Sequence, residues 1–399
     1  MAKIGIFGGS FNPPHLGHVL AVQEFQRVLG LDRVLLIPAA IPPHKQLTAN
    51  SPDAAVRLAM TRLAFEKLPY AEISDIELRR DGPSYTADTV AALQEQYPND
   101  ELFLLMGTDM FCSFESWYEP QRIADAAVLA VAYRGKDDLA AVRACAERLK
   151  STFGVRIVPA ENRCLPYSST SVRAMLAFGC AESYLEPAVM RYILAHGLYD
   201  TKRDLKQLPF DELSRVSLAL LKPKRVAHVQ GCSQTAKALA AHYGADQTDA
   251  ARAGMLHDVT KALTGDEQLK LCEYYGIILT PFERENPKLL HAKTGAAVAK
   301  RIFGENDAVC SAIEWHTTGR ADMTLLEKII YLADYMEPTR DFDGVDELRR
   351  LTWSELDAAL MLGLRMTARQ LTEKHAQIDG NSLAALRFLE ERNNKPNEG

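Results

Sequence analysis

Residues 5–18 read GIFGGSFNPPHLGH, and this stretch decides the fold of the first half of the chain. Lys3 to Phe7 form a short apolar-biased run with the composition of a strand. Gly8 and Gly9 follow, where the absence of a Cβ lets the backbone turn sharply and approach a ligand. Pro13 and Pro14, with fixed φ, suit a loop that feeds a helix start. His15 and His18 are three residues apart, so on a helix they share one face of the first turn. Unpaired N–H groups and the positive end of the helix dipole lie there, a ready site for phosphate to which two imidazoles add donors.

Working outward, Arg33–Pro38 (RVLLIP) reads as a second strand, and strand, helix and strand within forty residues make a βαβ unit with a parallel sheet. Loops at the carboxyl ends of such strands bind ligands. On that side fall Lys45, in the loop Pro42-Pro43-His44-Lys45, and Gly107 and Asp109, after the strand Leu102–Met106. Lys45 is placed to face a polyphosphate and Asp109 a ribose hydroxyl. Asp53–Lys67 reads as a helix and Ala71–Leu78 as a strand-like segment. In Asp81-Gly82-Pro83-Ser84-Tyr85-Thr86, Ser84 or Thr86 is expected to cap the next helix. Trp117 and Tyr118 come next, then strands at Ala127–Tyr133 and Val155–Pro159, with Arg134 ending the former and in reach of a phosphate ligand. Tyr167-Ser168-Ser169-Thr170-Ser171-Val172-Arg173 places hydroxyls and an arginine at a helix start, a second anion site.

The HxGH pattern after a Gly-Gly turn resembles the nucleotidylyltransferase superfamily. The longer string, from Gly8, Gly9, Ser10 and Phe11 to His18, resembles its bacterial nicotinate-nucleotide adenylyltransferase branch. The segment around Arg173 is similar to the superfamily's second motif, ISSTxxR, with Tyr167 where isoleucine is usual. The resemblance covers about residues 1–200 and implies a Rossmann-like α/β domain. It also implies that Thr86 holds a nicotinate carboxylate and that Trp117 stacks on a pyridine ring. The implied reaction joins nicotinate mononucleotide to the α-phosphorus of ATP with loss of pyrophosphate. An attacking phosphate is already an anion and needs no general base, so positioning and charge neutralisation by His15, His18, Lys45, Arg173, helix N-termini and Mg2+ suffice.

The chain has 399 residues, a net charge of −6 and no basic tract, so it lacks the electrostatic footprint of a nucleic-acid binder. No apolar run approaches the roughly 18–20 residues of a membrane span, and the first residues enter a strand at once, so no leader is expected. Seven scattered cysteines without CxxC spacing lead to an expectation of reduced thiols and a cytoplasmic location.

Asp200–Phe210 (DTKRDLKQLPF) is polar, charged and ends in proline-phenylalanine, and a boundary is expected there. Beyond it strand signals vanish and helical segments follow at Pro223–Tyr243, Thr248–Leu263, Leu289–Phe303, Asp307–His316 and Thr324–Met336, an all-α domain over residues 207–395. A lone helical histidine is ordinarily a core or surface residue. His228, His257, Asp258, His291, His316 and Asp334, ordered H…HD…H…H…D, are harder to explain as scatter. This order resembles the HD-domain metal phosphohydrolases, and the segments LHDVTK (256–261), HTTGR (316–320) and LEKIIYLADY (326–335) resemble the YqeK-type HD proteins. That resemblance implies symmetrical hydrolysis of diadenosine tetraphosphate to two ADP. Mixed imidazole and carboxylate ligands suit Fe, Mn, Co or Ni over Ca, with iron expected. One metal would take His228, His257, Asp258 and Asp334, and the other His291 and His316, with Asp258 bridging. Lys261 and Arg320 are placed to reach phosphate. Two other readings stand beside these: an adenylyl acceptor such as phosphopantetheine, and a second domain that acts on a different nucleotide or only senses one.

Overall fold

The computed structural model describes residues 1–43, 47–48, 50–133, 135–161 and 167–393. It separates into two compact units, Met1–Leu176 with Ala181–Lys202, and Ala177–Cys180 with Arg203 onward. The first unit runs β1 (Lys3–Gly9), α1 (Leu16–Leu29), β2 (Arg33–Pro38), α2 (Ala54–Phe65), β3 (Ala71–Ile73), α3 (Thr86–Gln96), β4 (Glu101–Gly107), α4 (Thr108–Cys112), α5 (Pro120–Ala126), β5 (Val128–Tyr133), α6 (Gly135–Phe153), β6 (Ile157–Glu161), α7 (Ser169–Ala177) and α8 (Pro187–His196). Its sheet has the order β3-β2-β1-β4-β5-β6 with every pair parallel. This is the α/β architecture that strand–helix alternation predicts. Central strands such as Val34–Pro38 and Leu102–Met106 are buried along their length, as expected where helices cover both faces. The strand order reverses between β1 and β4, and the crevice beyond their carboxyl ends is where such sheets take ligands.

Three local expectations change. Gly8 and Gly9 do not turn; they extend β1 opposite Ile37 and Pro38. The turn falls at Phe11, whose φ is 43°, and a Cβ at position 9 would meet the Phe11 ring at 3.4 Å, an ordinary contact. The cap of α3 is Tyr85 rather than Ser84 or Thr86. Ser84 Oγ instead accepts the Ala40 and Ile41 N–H groups at 2.9 and 3.3 Å and ties down the loop after β2. Finally, the expectation of reduced thiols fails at Cys112 and Cys145, which form a disulfide with Cα atoms 5.5 Å apart. They lie 33 residues apart, and only the packing of α4 on α6 brings them together. Cys232, Cys272 and Cys310 remain thiols.

The second unit is helical: α9 (Phe210–Ala219), α10 (Val226–Tyr243), α11 (Gln247–Leu256), α12 (Gly265–Tyr275), α13 (Pro281–Glu285), α14 (Leu290–Arg301), α15 (Asp307–Trp315), α16 (Leu325–Met336), α17 (Val345–Thr352), α18 (Leu356–Glu373) and α19 (Gly380–Asn393). Here α10 packs on α11 and α16, and α15 on α14 and α16, around buried Val229, Leu256, Ile313 and Ile330. The second predicted helix ends earlier than expected, at Leu256, so His257 and Asp258 stand at its carboxyl end; His316 likewise caps α15. Among the described residues no helix is long and apolar enough to cross a membrane.

Close approach of α10 and α11 depends on Gly254, where a Cβ would lie 2.7 Å from Ser233 Cα and 3.0 Å from its nitrogen. Backbone on both sides cannot yield cheaply. Gly254→Ala should therefore destabilise the second unit by about 1–3 kcal/mol through overpacking, net of the roughly 1 kcal/mol that alanine gains in a helix. Urea unfolding followed by circular dichroism measures this, and a variant as stable as the parent would contradict the packing account.

Candidate functional site

In the first unit a cavity of about 560 Å3 opens at the carboxyl ends of β1, β4 and β5. Its walls include Ser10, His15, His18, Gly107, Asp109, Ser168 and Ser169, so seven of the expected site residues converge from three separate stretches of the chain. His15 is the N-cap of α1 and His18 its third residue. Their rings stack with centroids 3.7 Å apart. The His15 N–H donates to His18 Nδ1 at 3.1 Å. Since Nδ1 of His18 is thereby an acceptor, its ring proton sits on Nε2. Gly17 has a steric role: a Cβ there would come within 3.0 Å of the His15 ring. Phe11, 1% exposed, lies edge-on to the His18 ring at 5.1 Å and backs it.

Opposite stands α7. Ser168 and Ser171 cap its start reciprocally, each backbone N–H donating to the other's hydroxyl at 3.1 Å. Ser169 donates to Pro13 O at 3.3 Å. Arg173, 4% exposed, donates to Asn12 O at 2.8 Å, Ser169 O at 3.2 Å and Thr170 Oγ1 at 3.3 Å. Its guanidinium thus braces the 10–14 loop from behind, and Thr170 is buried with it. Tyr199 OH donates to Asn12 Oδ1 at 2.8 Å and completes the brace. Sequence reading missed Asn12 and Tyr199, because nothing in their local context announces a contact 187 residues apart.

Thr86, Trp117 and Tyr118 do not line the cavity. Tyr85 and Tyr118 stack at 4.3 Å, which joins the Ser84–Thr86 segment to the Trp117–Tyr118 segment. Trp117 is half-buried against the core, and its indole donates to Ser113 Oγ at 3.4 Å. Gly8 looks onto open space, with no atom within 4 Å of where its Cβ would be. Lys45 and Arg134 lie outside the described residues.

In the second unit the structure brings together His228, His257, Asp258, His291, His316 and Asp334. All four histidines are at most 5% exposed. Asp258 divides them: Oδ2 lies 3.8 and 3.7 Å from Nε2 of His228 and His257, and Oδ1 lies 3.4 and 3.9 Å from Nε2 of His291 and His316. Asp334 Oδ1 is 3.1 Å from His228 Nε2 and 3.7 Å from His257 Nε2. The ligand atoms of His228, His257 and Asp334 all lie within 4.8 Å of one another, as do those of His257, Asp258 and His316.

A cation fits this donor set. Nδ1 of His257, His291 and His316 faces the carbonyls of Gly254, Lys288 and Ile313 at 2.7, 2.6 and 2.7 Å. A carbonyl only accepts, so each Nδ1 carries the proton. Burial pushes His257 and His291 well below the ordinary imidazole value, and His316 to about 4, so their Nε2 atoms are bare lone pairs. Yet Nε2 of His291 and His316 face each other at 3.1 Å, and those of His228 and His257 at 3.2 Å. A shared cation resolves contacts between acceptors.

Cations of the chain crowd the same acids. Arg225 pairs with Asp258, and Arg340 Nη2 lies 2.6 Å from Asp334 Oδ1. Lys261 Nζ is 2.8 Å from His291 Nε2 and 3.8 Å from Asp258 Oδ1. Burial lowers Lys261 to about 8, helped by Arg225 and Arg340 and opposed by Asp334. Arg320 is elsewhere, with Nε and Nη2 on the buried Glu327 carboxylate at 3.2 and 3.1 Å. Sequence reading missed Arg225 and Arg340. The available signal was their position, three residues before His228 and six after Asp334.

A family model described as cytidylyltransferase-like matches residues 6–175, and an HD domain model matches residues 225–339. The chain is similar to a protein of Borreliella burgdorferi described as a probable nicotinate-nucleotide adenylyltransferase, 36% identical over 50% of this chain and 98% of the relative. A Thermus thermophilus protein of the same description is 40% identical over 49% of this chain and 99% of its own length. Among solved structures, one described as a predicted HD superfamily hydrolase involved in NAD metabolism, from Clostridium acetobutylicum, is 38% identical, covering 46% of this chain and 98% of its own, with a TM-score of 0.45.

The brace on the 10–14 loop is testable apart from any activity. Arg173→Met should cost about 1–3 kcal/mol, the scale of buried polar groups losing their partner, and should raise amide hydrogen–deuterium exchange in residues 10–12. Unchanged exchange there would show that the loop does not rely on Arg173.

Proposed function

The chain belongs to the nicotinate-nucleotide adenylyltransferase family through its first half, and on that premise we propose that it carries two activities. Residues 1–200 transfer the adenylyl group of ATP to nicotinate mononucleotide, giving deamido-NAD and pyrophosphate. Residues 207–395, which include the HD-domain match over residues 225–339, hydrolyse diadenosine tetraphosphate symmetrically to two ADP. The observation that carries the first reading is the convergence of His15, His18 and the α1 and α7 starts on one cavity at the strand-order reversal. The acceptor phosphate attacks the α-phosphorus of ATP in line, and pyrophosphate leaves. His18 donates from Nε2 to a phosphoryl oxygen as charge develops, while the start of α7 and the Ser10 loop hold the phosphates. Asp109, exposed at the start of α4, takes a ribose hydroxyl. Thr86 and Trp117 hold the nicotinate carboxylate and ring. Lys45, Arg134 and Mg2+ arriving with ATP add positive charge. A chain that consumes ATP works, in this reading, in the cytoplasm.

For the second reading the carrying observation is Asp258, one oxygen toward each histidine pair. His228, His257 and Asp334 would hold one divalent transition metal, iron by expectation, and His291 and His316 a second, with Asp258 between them. Bound there, such ions supply Lewis-acid charge and an acidified water. Arg225, Arg340 and Lys261, which contact the same acids, would bind the polyphosphate. Arg320, held by Glu327, is a weaker candidate for the same task.

Incubating the purified chain with ATP and nicotinate mononucleotide, and separately with diadenosine tetraphosphate, and identifying products by mass tests both readings. His18→Ala should lower kcat of adenylyl transfer by about 10²–10³, the scale of one lost preorganised donor, and leave hydrolysis unchanged. Asp258→Ala should abolish hydrolysis and reduce bound metal while adenylyl transfer survives. Full hydrolysis by the chelator-stripped chain would rule out the metal centre, and near-normal transfer by His18→Ala would sink its assigned role.

A further inference from the structure

Three of the four clustered histidines are oriented by their own backbone. His257, His291 and His316 each place Nδ1 on the carbonyl three residues earlier in the chain. His228 differs. It lies within α10, where the carbonyls are engaged in the helix, and its Nδ1 meets the side chain of Glu337, Oε1 at 3.0 Å. Glu337 is 0% exposed and terminates α16 three residues after Asp334. The same helix end therefore grips the His228 ring at both nitrogens: Asp334 Oδ1 at Nε2, 3.1 Å, and Glu337 Oε1 at Nδ1, 3.0 Å.

Glu337 is itself held. The Thr339 N–H donates to Oε2 at 2.7 Å and the Thr339 hydroxyl to Oε1 at 2.5 Å. With donors on both oxygens the carboxylate is an acceptor only, so the proton shared with His228 sits on Nδ1, and Nε2 is the ring atom that faces the cluster. Space for the carboxylate comes from Gly231 on α10, where a Cβ would lie 2.5 Å from Glu337 Oε2. A glycine, a carboxylate and a threonine thus form a seat that serves one ring of the cluster.

We infer that Glu337 is a positioning residue for one metal position only, fixing the tautomer and direction of His228 while the His291–His316 position is independent of it. A carboxylate behind a metal-bound imidazole raises its basicity and fixes its orientation, and loss of such partners weakens metal binding about 10–100-fold. Backbone carbonyls give the other three histidines orientation without a charge. The two positions are therefore unequal, and the one that includes His228 is tuned by a side chain that substitution can reach.

This inference rests on the metal-centre reading above, and the test separates the two. The full chain, stripped with chelator, is titrated with Co2+ while bound metal is counted and the ligand-field absorption recorded. The parent should take up two ions. Glu337→Ala should keep one and bind the other about 10–100-fold more weakly, with Glu337→Gln between them because it retains an acceptor. Gly231→Ala, which crowds the carboxylate from outside, should reproduce the loss. In the metal-free chain with 15N-labelled histidine, Glu337→Ala should remove the Nδ1–H tautomer of His228 alone, a change that a purely structural role would not produce. Equal binding of both ions by parent and variants, or loss of both positions together, overturns the inference. A parent that binds no Co2+ overturns the metal-centre reading, and this inference with it.

Discussion

Backbone groups left without partners at helix ends underlie both sites. An α-helix exposes N–H groups at its start and carbonyls at its finish. The first unit uses the starts: α1 and α7 begin at one cavity, which His15, His18, Ser168 and Ser169 line. The second unit uses the finishes. Carbonyls of Gly254 and Ile313, in the last turns of α11 and α15, take the Nδ1 protons of His257 and His316 and turn Nε2 inward. One polarity suits an anionic ligand and the other a cation, and no unusual residue is needed for either.

Close backbone approach is what lets those ends converge. Gly17 leaves the space that the His15 ring occupies, Gly254 lets α11 settle against α10, and Gly295 lets α14 come within reach of the His257 carbonyl, 3.3 Å from where its Cβ would be. None of these glycines has a left-handed backbone, so their requirement is steric rather than conformational. The polar groups are then locked by partners distant in sequence. Arg173 and Tyr199 meet at Asn12, and Arg57, 1% exposed, reaches the carbonyls of Ser10 and Ala40 at 2.7 and 3.1 Å. The loop that carries Ser10 and Phe11 is fastened from several directions, which suits a site that works by preorganised donors.

Charge is arranged unlike in the two units. In the first, Asp109 stands exposed at the cavity mouth, and two described positive charges against the loop, Arg57 and Arg173, are buried behind it. In the second, Arg225, Arg340 and Lys261 converge on two carboxylates among four imidazoles. Burial opposes the charge on Asp334, but contact with the His228 ring and the charges of its neighbours, Arg340 among them, hold its carboxyl well below the usual range. Such a cluster keeps Asp334 ionised and His257, His291 and His316 neutral, the protonation state a metal ligand requires.

Local chemistry was legible where it depends on near neighbours. The strand into GGSFNPPHLGH, the helix start at Ser168, the change to all-helix beyond residue 210 and the six-residue His/Asp set could each be read from spacing, because periodicity and capping act within a few residues. Errors arose where a distant partner overrode a local preference. Gly8 and Gly9 stay extended because β2 pairs with them, Ser84 leaves the helix cap for the loop after β2, and Cys112 finds Cys145 through the packing of α4 on α6. By itself the sequence determined which side chains are candidates for the chemistry and on which kinds of element they stand. Only the tertiary structure decided that Arg173 faces a loop, that Arg320 belongs to Glu327, and that Glu337 stands behind His228. Those are contacts between segments, and their geometry exists only once the helices have packed.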